Sequence, residues 1–414
     1  MDTISVAPSR ALLPPLDAPP PRARIRWNGL LSPATALLLV VLPIAGYLGF
    51  RSPSGWAVTL ESVSLTDGFH RRFLVGTVLR PFAALFGYHY AVYAVAAFAV
   101  LGMVLTVVVV AFFRTSSVSR RFLIIGWLLL PTGGYLFHEV GYLDQVLYLL
   151  LFAALWALRR NRPVSAAALM AASVLTHEIA LLTVIPVFGV VLLRKLPFRK
   201  ACALLAPSAA AGLVVLTVPP AEAGAVQRFQ QVLAGAGFPY RDDALGLFNR
   251  TQAQSWQLYS ITDVLLYLLP ILLVVVAGFL VLHRPSAATL LPLAAVATPV
   301  LLAFGGWDEA RWGFLLVTNF VLVLWLWQGR REPDLQRFGA LAAVLLVLTH
   351  LPLPYFDGYR PRDITLVGTP HPGGNITLSG AGLNARGLLL PDGRVMAIHA
   401  ASANRETRQM EMVQ

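Results

Sequence analysis

Long apolar runs recur along the chain at 31–50, 86–113, 122–137, 142–158, 164–176, 179–193, 201–218, 260–282, 286–304, 312–328 and 337–352. A helix needs about 20 apolar residues to cross the hydrocarbon core of a bilayer. The pattern therefore predicts about eleven membrane helices, some nearer about 15 residues than 20. The short runs around Pro131-Thr-Gly-Gly134 and Thr176-His177-Glu178 read as broken or re-entrant helices, which membrane proteins accommodate where the backbone lines a cavity.

Three segments outside the runs are long. Residues 51–85 mix apolar and polar positions and predict a helix lying along the membrane interface. Residues 219–259 form the second. The third is the tail from 353, where Ile364-Thr-Leu-Val-Gly, Asn375-Ile-Thr-Leu and Val395-Met-Ala-Ile, broken by Gly and Pro, predict short strands. Residues 1–28 are rich in Pro, Ala and Arg and read as a disordered cytoplasmic tail. No small-residue cleavage site follows the first apolar run, so that run is expected to stay as a span.

Composition agrees. Apolar residues make up 57% of the 414 and charged residues 13%, and the mean hydropathy is +0.69. A water-soluble domain cannot hide that much apolar surface. The formal charge of +12 does not indicate nucleic acid, because the basic residues are scattered in short loops and form no stripe. Cys202 is the only cysteine, which excludes an intramolecular disulfide and a Cys-based metal site.

The basic residues set the orientation. With the N-terminus inside, the inner loops hold Arg114, Arg120 and Arg121; Arg159, Arg160 and Arg162; Arg194, Lys195, Arg199 and Lys200; Arg284; and Arg330, Arg331 and Arg337. These loops are short and almost free of acids, as the positive-inside rule expects. The expected fold is thus an all-α polytopic integral membrane protein. A transmembrane domain spans 29–352, the N-terminus is inside, and a small β-containing tail, 353–414, lies outside.

The mixed polar clusters then fall on the opposite, outer side. They are Asp67-Gly-Phe-His70-Arg71-Arg72, His138-Glu139 with Asp144, His177-Glu178, Arg241-Asp242-Asp243 and Trp307-Asp308-Glu309-Ala310-Arg311-Trp312. Ionisable residues at span ends cost free energy and mark sites or pathways by default. Arg71 and Arg72 run against the positive-inside bias. A phosphate suits them, since a guanidinium fork matches phosphate oxygens in two-point fashion. Anionic headgroups of membrane lipids are the plainer alternative. Asp308 and Arg311, three apart on a helix, can pair with each other, and Trp307 offers a face for sugar stacking. No zinc-type spacing, Walker A sequence or GxSxG occurs. Asp67, His138, Glu139, His177, Glu178 and Asp308 are candidate ligands for a divalent cation, and carboxylates beside a phosphate would suit Mg²⁺ or Mn²⁺ better than Zn²⁺.

Phe69-His-Arg-Arg-Phe-Leu-Val-Gly-Thr77, Thr176-His-Glu-Ile179 and Trp307-Asp-Glu-Ala-Arg-Trp312, set among about eleven spans, resemble the bacterial envelope glycan enzymes. The resemblance is to Wzy/EpsG-like polysaccharide polymerases and to multispan GT-C glycosyltransferases, and it covers about 30–350. The GT-C likeness implies Asp67 as the acid of the first outer loop, although Glu61 is the only second acid nearby. The polymerase likeness implies lipid pyrophosphate binding by outer arginines, with Arg71, Arg72, Arg228, Arg241 and Arg311 as candidates.

The resulting expectation is a glycosyltransferase or polymerase in the bacterial inner membrane. Its substrate would be a polyprenyl-phosphate type lipid-linked sugar met at the outer face, with glycan-assembly proteins as partners. No cofactor is required, because the sugar arrives on lipid. Asp67 is the first candidate base, with Glu178 and Asp308 next. His70, Arg71, Arg72, His138, Glu139, His177, Arg241, Trp307 and Arg311 are candidates for substrate binding. The alternatives are a transporter or flippase, or a non-catalytic membrane subunit of an envelope complex.

Overall fold

The computed structural model describes residues 32–219, 221–250, 254, 260–283, 286–305, 308–327 and 335–351, together with four strand segments of the tail. Trp307 lies outside the described residues. The helices are α1 Pro33–Gly49, α2 Gly55–Ser62, α3 Leu74–Phe86, α4 Tyr90–Arg114, α5 Val118–Leu129, α6 Pro131–His138, α7 Leu143–Arg159, α8 Pro163–Thr176, α9 Val184–Lys195, α10 Phe198–Thr217, α11 Ala223–Gly235, α12 Asp242–Gly246, α13 Val264–Leu282, α14 Ala287–Ala297, α15 Glu309–Trp327 and α16 Leu335–Thr349. In the tail, Val367–Pro370, Asn375–Gly380, Leu383–Leu389 and Val395–Ser402 pair as an antiparallel sheet in chain order.

The apolar runs are helical, but they are not eleven uninterrupted spans. Among the described residues, three helices are long and apolar enough to cross a membrane alone: α4, α10 and α13. Helices α6 and α7 meet that test only together, and they are bent against each other by 107°. The other runs are shorter helices, such as the 17 residues of α1 and the 14 of α8, or are interrupted.

The interruptions have local causes. Pro131 pushes Leu130 out of the helical region, to ψ 163, and so divides the 122–137 run into α5 and α6. Gly133 then brings α6 hard against the end of α5, where a Cβ would overlap the Leu128 carbonyl. Gly49 packs α1 onto α6 with equal intimacy, since its Cβ would overlap the Gly134 carbonyl oxygen. This close packing accounts for the Gly133-Gly134 pair. Extended backbone at His177 ends α8, and a single 3-10 turn, Glu178–Leu181, leads toward α9. Helix α13 opens on a π-helical turn, Val264–Leu268, ahead of Pro270.

Two apolar cores form. The larger joins α1 and α4–α10 to α13–α16, around buried Leu147, Leu151, Met170, Phe188, Phe279 and Phe320. The smaller is built by the two long intervening segments, which lie about 130 residues apart along the chain yet pack on each other. Phe69 sits edge-on to Phe229 and Phe248 at 5.4 and 5.0 Å, and Tyr93 packs on Phe238 at 5.2 Å. The backbone N–H of Arg241 donates to Thr59 Oγ1 at 3.0 Å. Residues 55–93 and 221–248 thus make one cap. Helix α3 lays Val78, Phe82, Leu85 and Phe86 open to the surroundings while burying Gly76 and Ala83.

The two ends of α15 differ in chemistry. At its start Arg311 meets an acid. At its close Trp325 and Trp327 lie under Arg120 and Arg194, at 5.1 and 3.9 Å from guanidinium carbon to ring centroid. Arg120 and Arg194 therefore lie at the end of α15 away from Arg311.

Candidate functional site

Arg72 stands between the cap and the helical bundle. Its φ is 54°, in the left-handed region, which costs a side-chain-bearing residue about 1–3 kcal/mol. The strained backbone aims its side chain at a carboxylate 106 positions later. Arg72 Nε donates to Glu178 Oε1 at 3.0 Å and to Oε2 at 3.2 Å, and Nη2 donates to Oε1 as well. Glu178 Oε2 lies 3.2 Å from His177 Nδ1. Burial alone would raise the Glu178 carboxyl, but the Arg72 guanidinium and the adjacent His177 outweigh it and hold the group well below the usual carboxylate range. Burial first, and then the charge of Arg72, lowers His177 from 6.5 to about 4 despite the opposing pull of Glu178.

A second pair lies at the adjoining helix ends. Asp144, in the first turn of α7, accepts from Arg311 in a two-point bond: Nε to Oδ2 at 2.6 Å and Nη2 to Oδ1 at 2.7 Å. Both side chains are buried, at 4% and 9% exposure. Asp308 approaches the same guanidinium only to 4.0 Å. The i,i+3 pairing expected from sequence is thus the weaker contact, and the main partner of Arg311 is Asp144. Arg311 acts electrostatically on His177, and the Tyr135 phenol lies in the field of Glu139, Asp308, Arg311 and Asp144. The two pairs thus lie within reach of each other's field. His138 Nδ1 lies 3.1 Å from Glu139 Oε1 at its margin.

The remaining candidates sit apart, in the cap. Asp67 accepts from Ser64 Oγ at 2.5 Å and pairs with Arg80 at 3.3 Å, and Arg80 also bonds the Tyr88 hydroxyl. Arg241 bonds the Asp243 carboxylate and covers the Trp56 ring at 5.5 Å. Arg71 Nη2 donates to the Val218 carbonyl at 2.8 Å, and His70 is exposed. No described contact joins Asp67 to Glu178 or to Arg311. Glu61, beside Asp67 in the cap, is buried without a hydrogen-bond partner for Oε2, and burial raises its carboxyl well above the usual range.

Three features escape sequence reasoning. Arg80 is the partner of Asp67, and Asp144 is the partner of Arg311. Asn319, a lone amide in an apolar run, is wholly buried. Its Nδ2 donates to the Thr183 and Ala295 carbonyls at 3.0 and 3.2 Å, and its Oδ1 accepts from Tyr148 at 2.9 Å. The polar pair Thr318-Asn319 at the middle of such a run was the available signal for it.

Beside the cluster, Val104, Trp127, Leu136, Gln145, Tyr148 and Phe314 are among the residues lining an apolar cavity of about 30 Å³. Gln145 Oε1 is buried there without a hydrogen-bond partner. A space of that size has room for about one water molecule. Among the described residues no three His, Cys, Asp or Glu side chains gather as a metal ion would require. Comparison with protein families, with curated proteins and with solved structures finds no match to this chain.

Proposed function

We propose that this chain is a polytopic membrane enzyme that transfers a sugar from a polyprenyl-phosphate type lipid at the extracytoplasmic face of a bacterial inner membrane. The reading rests on one observation: guanidinium and carboxylate groups from four separate segments pair at the helix ends, Arg72 with Glu178 beside His177, and Arg311 with buried Asp144 and, more distantly, Asp308. Preorganised cations at such a place stabilise negative charge growing on a departing phosphate. Arg72 and Arg311 carry that role, and the apolar helix faces hold the isoprenoid tail. In this reading the positive-inside loops put the cluster and the cap outside, with about eleven crossings in all.

The test is glycan production by cells carrying Arg72→Ala, Asp67→Asn or Arg311→Lys in a chain that still inserts. Loss in the Arg72 and Arg311 variants is expected. Full production in both ends the proposal. One observation favours a second reading, a non-catalytic membrane subunit: Arg72 and Arg311 are each already matched by a carboxylate, as in a structural clasp. Under that reading the same variants lower the amount of folded protein and leave glycan output per molecule unchanged.

A further inference from the structure

The carboxylates nominated as proton acceptors are largely engaged. Asp67 is held by Ser64 and Arg80, Glu178 by Arg72, and Asp308 accepts from the Arg311 backbone N–H at 3.3 Å with the Arg311 guanidinium at 4.0 Å. Protonating any of them would break an ion pair. His177 is different: its side chain is 1% exposed, and Nε2 is buried with no hydrogen-bond partner. The other ring nitrogen, Nδ1, has two neighbours with opposite demands. Glu178 Oε2 at 3.2 Å requires a proton on it, whereas the Ile179 N–H at 3.4 Å requires a lone pair. The closer, charge-assisted contact decides the tautomer. Nδ1 then carries the hydrogen, and Nε2 keeps its lone pair.

Resting on the sugar-transfer reading above, we propose that His177 Nε2 takes the proton from the attacking hydroxyl, with Glu178 and Arg72 as positioning residues. In the step, the hydroxyl proton moves to Nε2 while its oxygen bonds the anomeric carbon. The bond from that carbon to the phosphate oxygen breaks, and the electron pair leaves with the lipid phosphate. Nε2 afterwards yields its proton to the departing phosphate or to water. At rest the imidazole is a weak base, held down by burial and by Arg72 and Arg311. An anionic phosphate drawn to those guanidiniums offsets their charge, so substrate binding itself restores the basicity. Because the ring is 1% exposed, the acceptor reaches Nε2 only when the residues around it move.

The test uses the full chain, labelled with ¹⁵N-histidine, in lipid nanodiscs, with the His177 signal assigned by its loss in His177→Gln. At pH 7 the neutral tautomer with hydrogen on Nδ1 is expected. Adding a polyprenyl monophosphate to the lipid should raise the titration midpoint of His177 by about one pH unit or more, and added phosphatidylglycerol should not. Hydrogen on Nε2, an unmoved midpoint, or an equal shift with phosphatidylglycerol overturns the proposal. In a sugar-transfer assay His177→Gln should lose about 10²-fold or more in kcat. Glu178→Gln should lower kcat with KM unchanged and shift the pH profile. A folded His177→Gln chain at full rate overturns the proposal too. A wild-type chain that transfers no sugar sinks the sugar-transfer reading instead, and the tautomer result is read separately from it.

Discussion

Asp144→Asn and Arg311→Met probe the most deeply buried ion pair among the described side chains. Removing one partner of a buried pair strands the other and costs about 3–5 kcal/mol. The two variants should not cost the same. After Asp144→Asn, Asp308 still stands 4.0 Å from the guanidinium, partly screened because it is 27% exposed, so the loss falls near the lower limit. After Arg311→Met, Asp144 is left buried with no described cation against it, and the loss falls near the upper limit. The double variant strands neither group and should cost less than either single change, since replacing a whole buried pair by packed neutral groups is often close to neutral. Thermal unfolding of the four proteins in one detergent, at one pH and protein concentration, measures this. Single variants within about 1 kcal/mol of wild type would mean that the pair is solvated. A double variant costing the sum of the singles would mean that the two side chains do not interact, and the proposed cluster would have no centre.

Acid should weaken the fold through His177. Its folded value of about 4 lies below the 6.5 of an exposed imidazole, so the unfolded chain binds more protons between those limits. Stability is complete above about pH 6.5 and falls as pH drops toward 4, by about 2 kcal/mol at pH 5. Thermal scans across that range should show the limb in wild type and its flattening in His177→Gln. Glu61 has the opposite sign, since its raised carboxyl penalises the folded state as pH climbs above the unfolded value. Glu61→Gln should therefore be more stable than wild type at pH 7.5 and lose that advantage near pH 4, as read from paired unfolding curves. Arg72→Gly should unfold at a higher temperature than Arg72→Ala, by about 1 kcal/mol, because only glycine meets φ 54° without strain. Gly49→Ala should lower stability by about 1–3 kcal/mol, since its methyl group meets backbone rather than a side chain that can move.

Apolar length makes the helices legible, because lipid demands it of every crossing segment. The breaks at Pro131 and His177 are legible too, one from the restriction before proline and the other from a polar pair set between apolar runs. Pairings were not. Asp67 and Arg72 are five positions apart, yet the first turns toward Arg80 in the cap and the second toward Glu178 in the bundle. Chain proximity cannot separate them, because the left-handed residue that redirects the side chain is an arginine, where only a glycine or asparagine would have announced it. Asp144 lies 167 positions from Arg311, and nothing in the local spacing of either links them. The contact between residues 55–93 and 221–248 is likewise hidden, since their aromatic residues look like ordinary interfacial anchors until they are seen to face one another.

That contact ties the order of synthesis to the order of folding. Phe69 is completed early, but Phe229 and Phe248, which enclose it, are joined to the chain about 160 to 180 residues afterwards. At about 5–20 residues per second, the first half waits roughly ten seconds or more with a sticky aromatic face uncovered. A ribosome stalled near residue 217 would hold the first half with that aromatic face bare, before residues 221–248 and helices α13–α16 exist. Emergence of residues 221–248 is what lets that surface close.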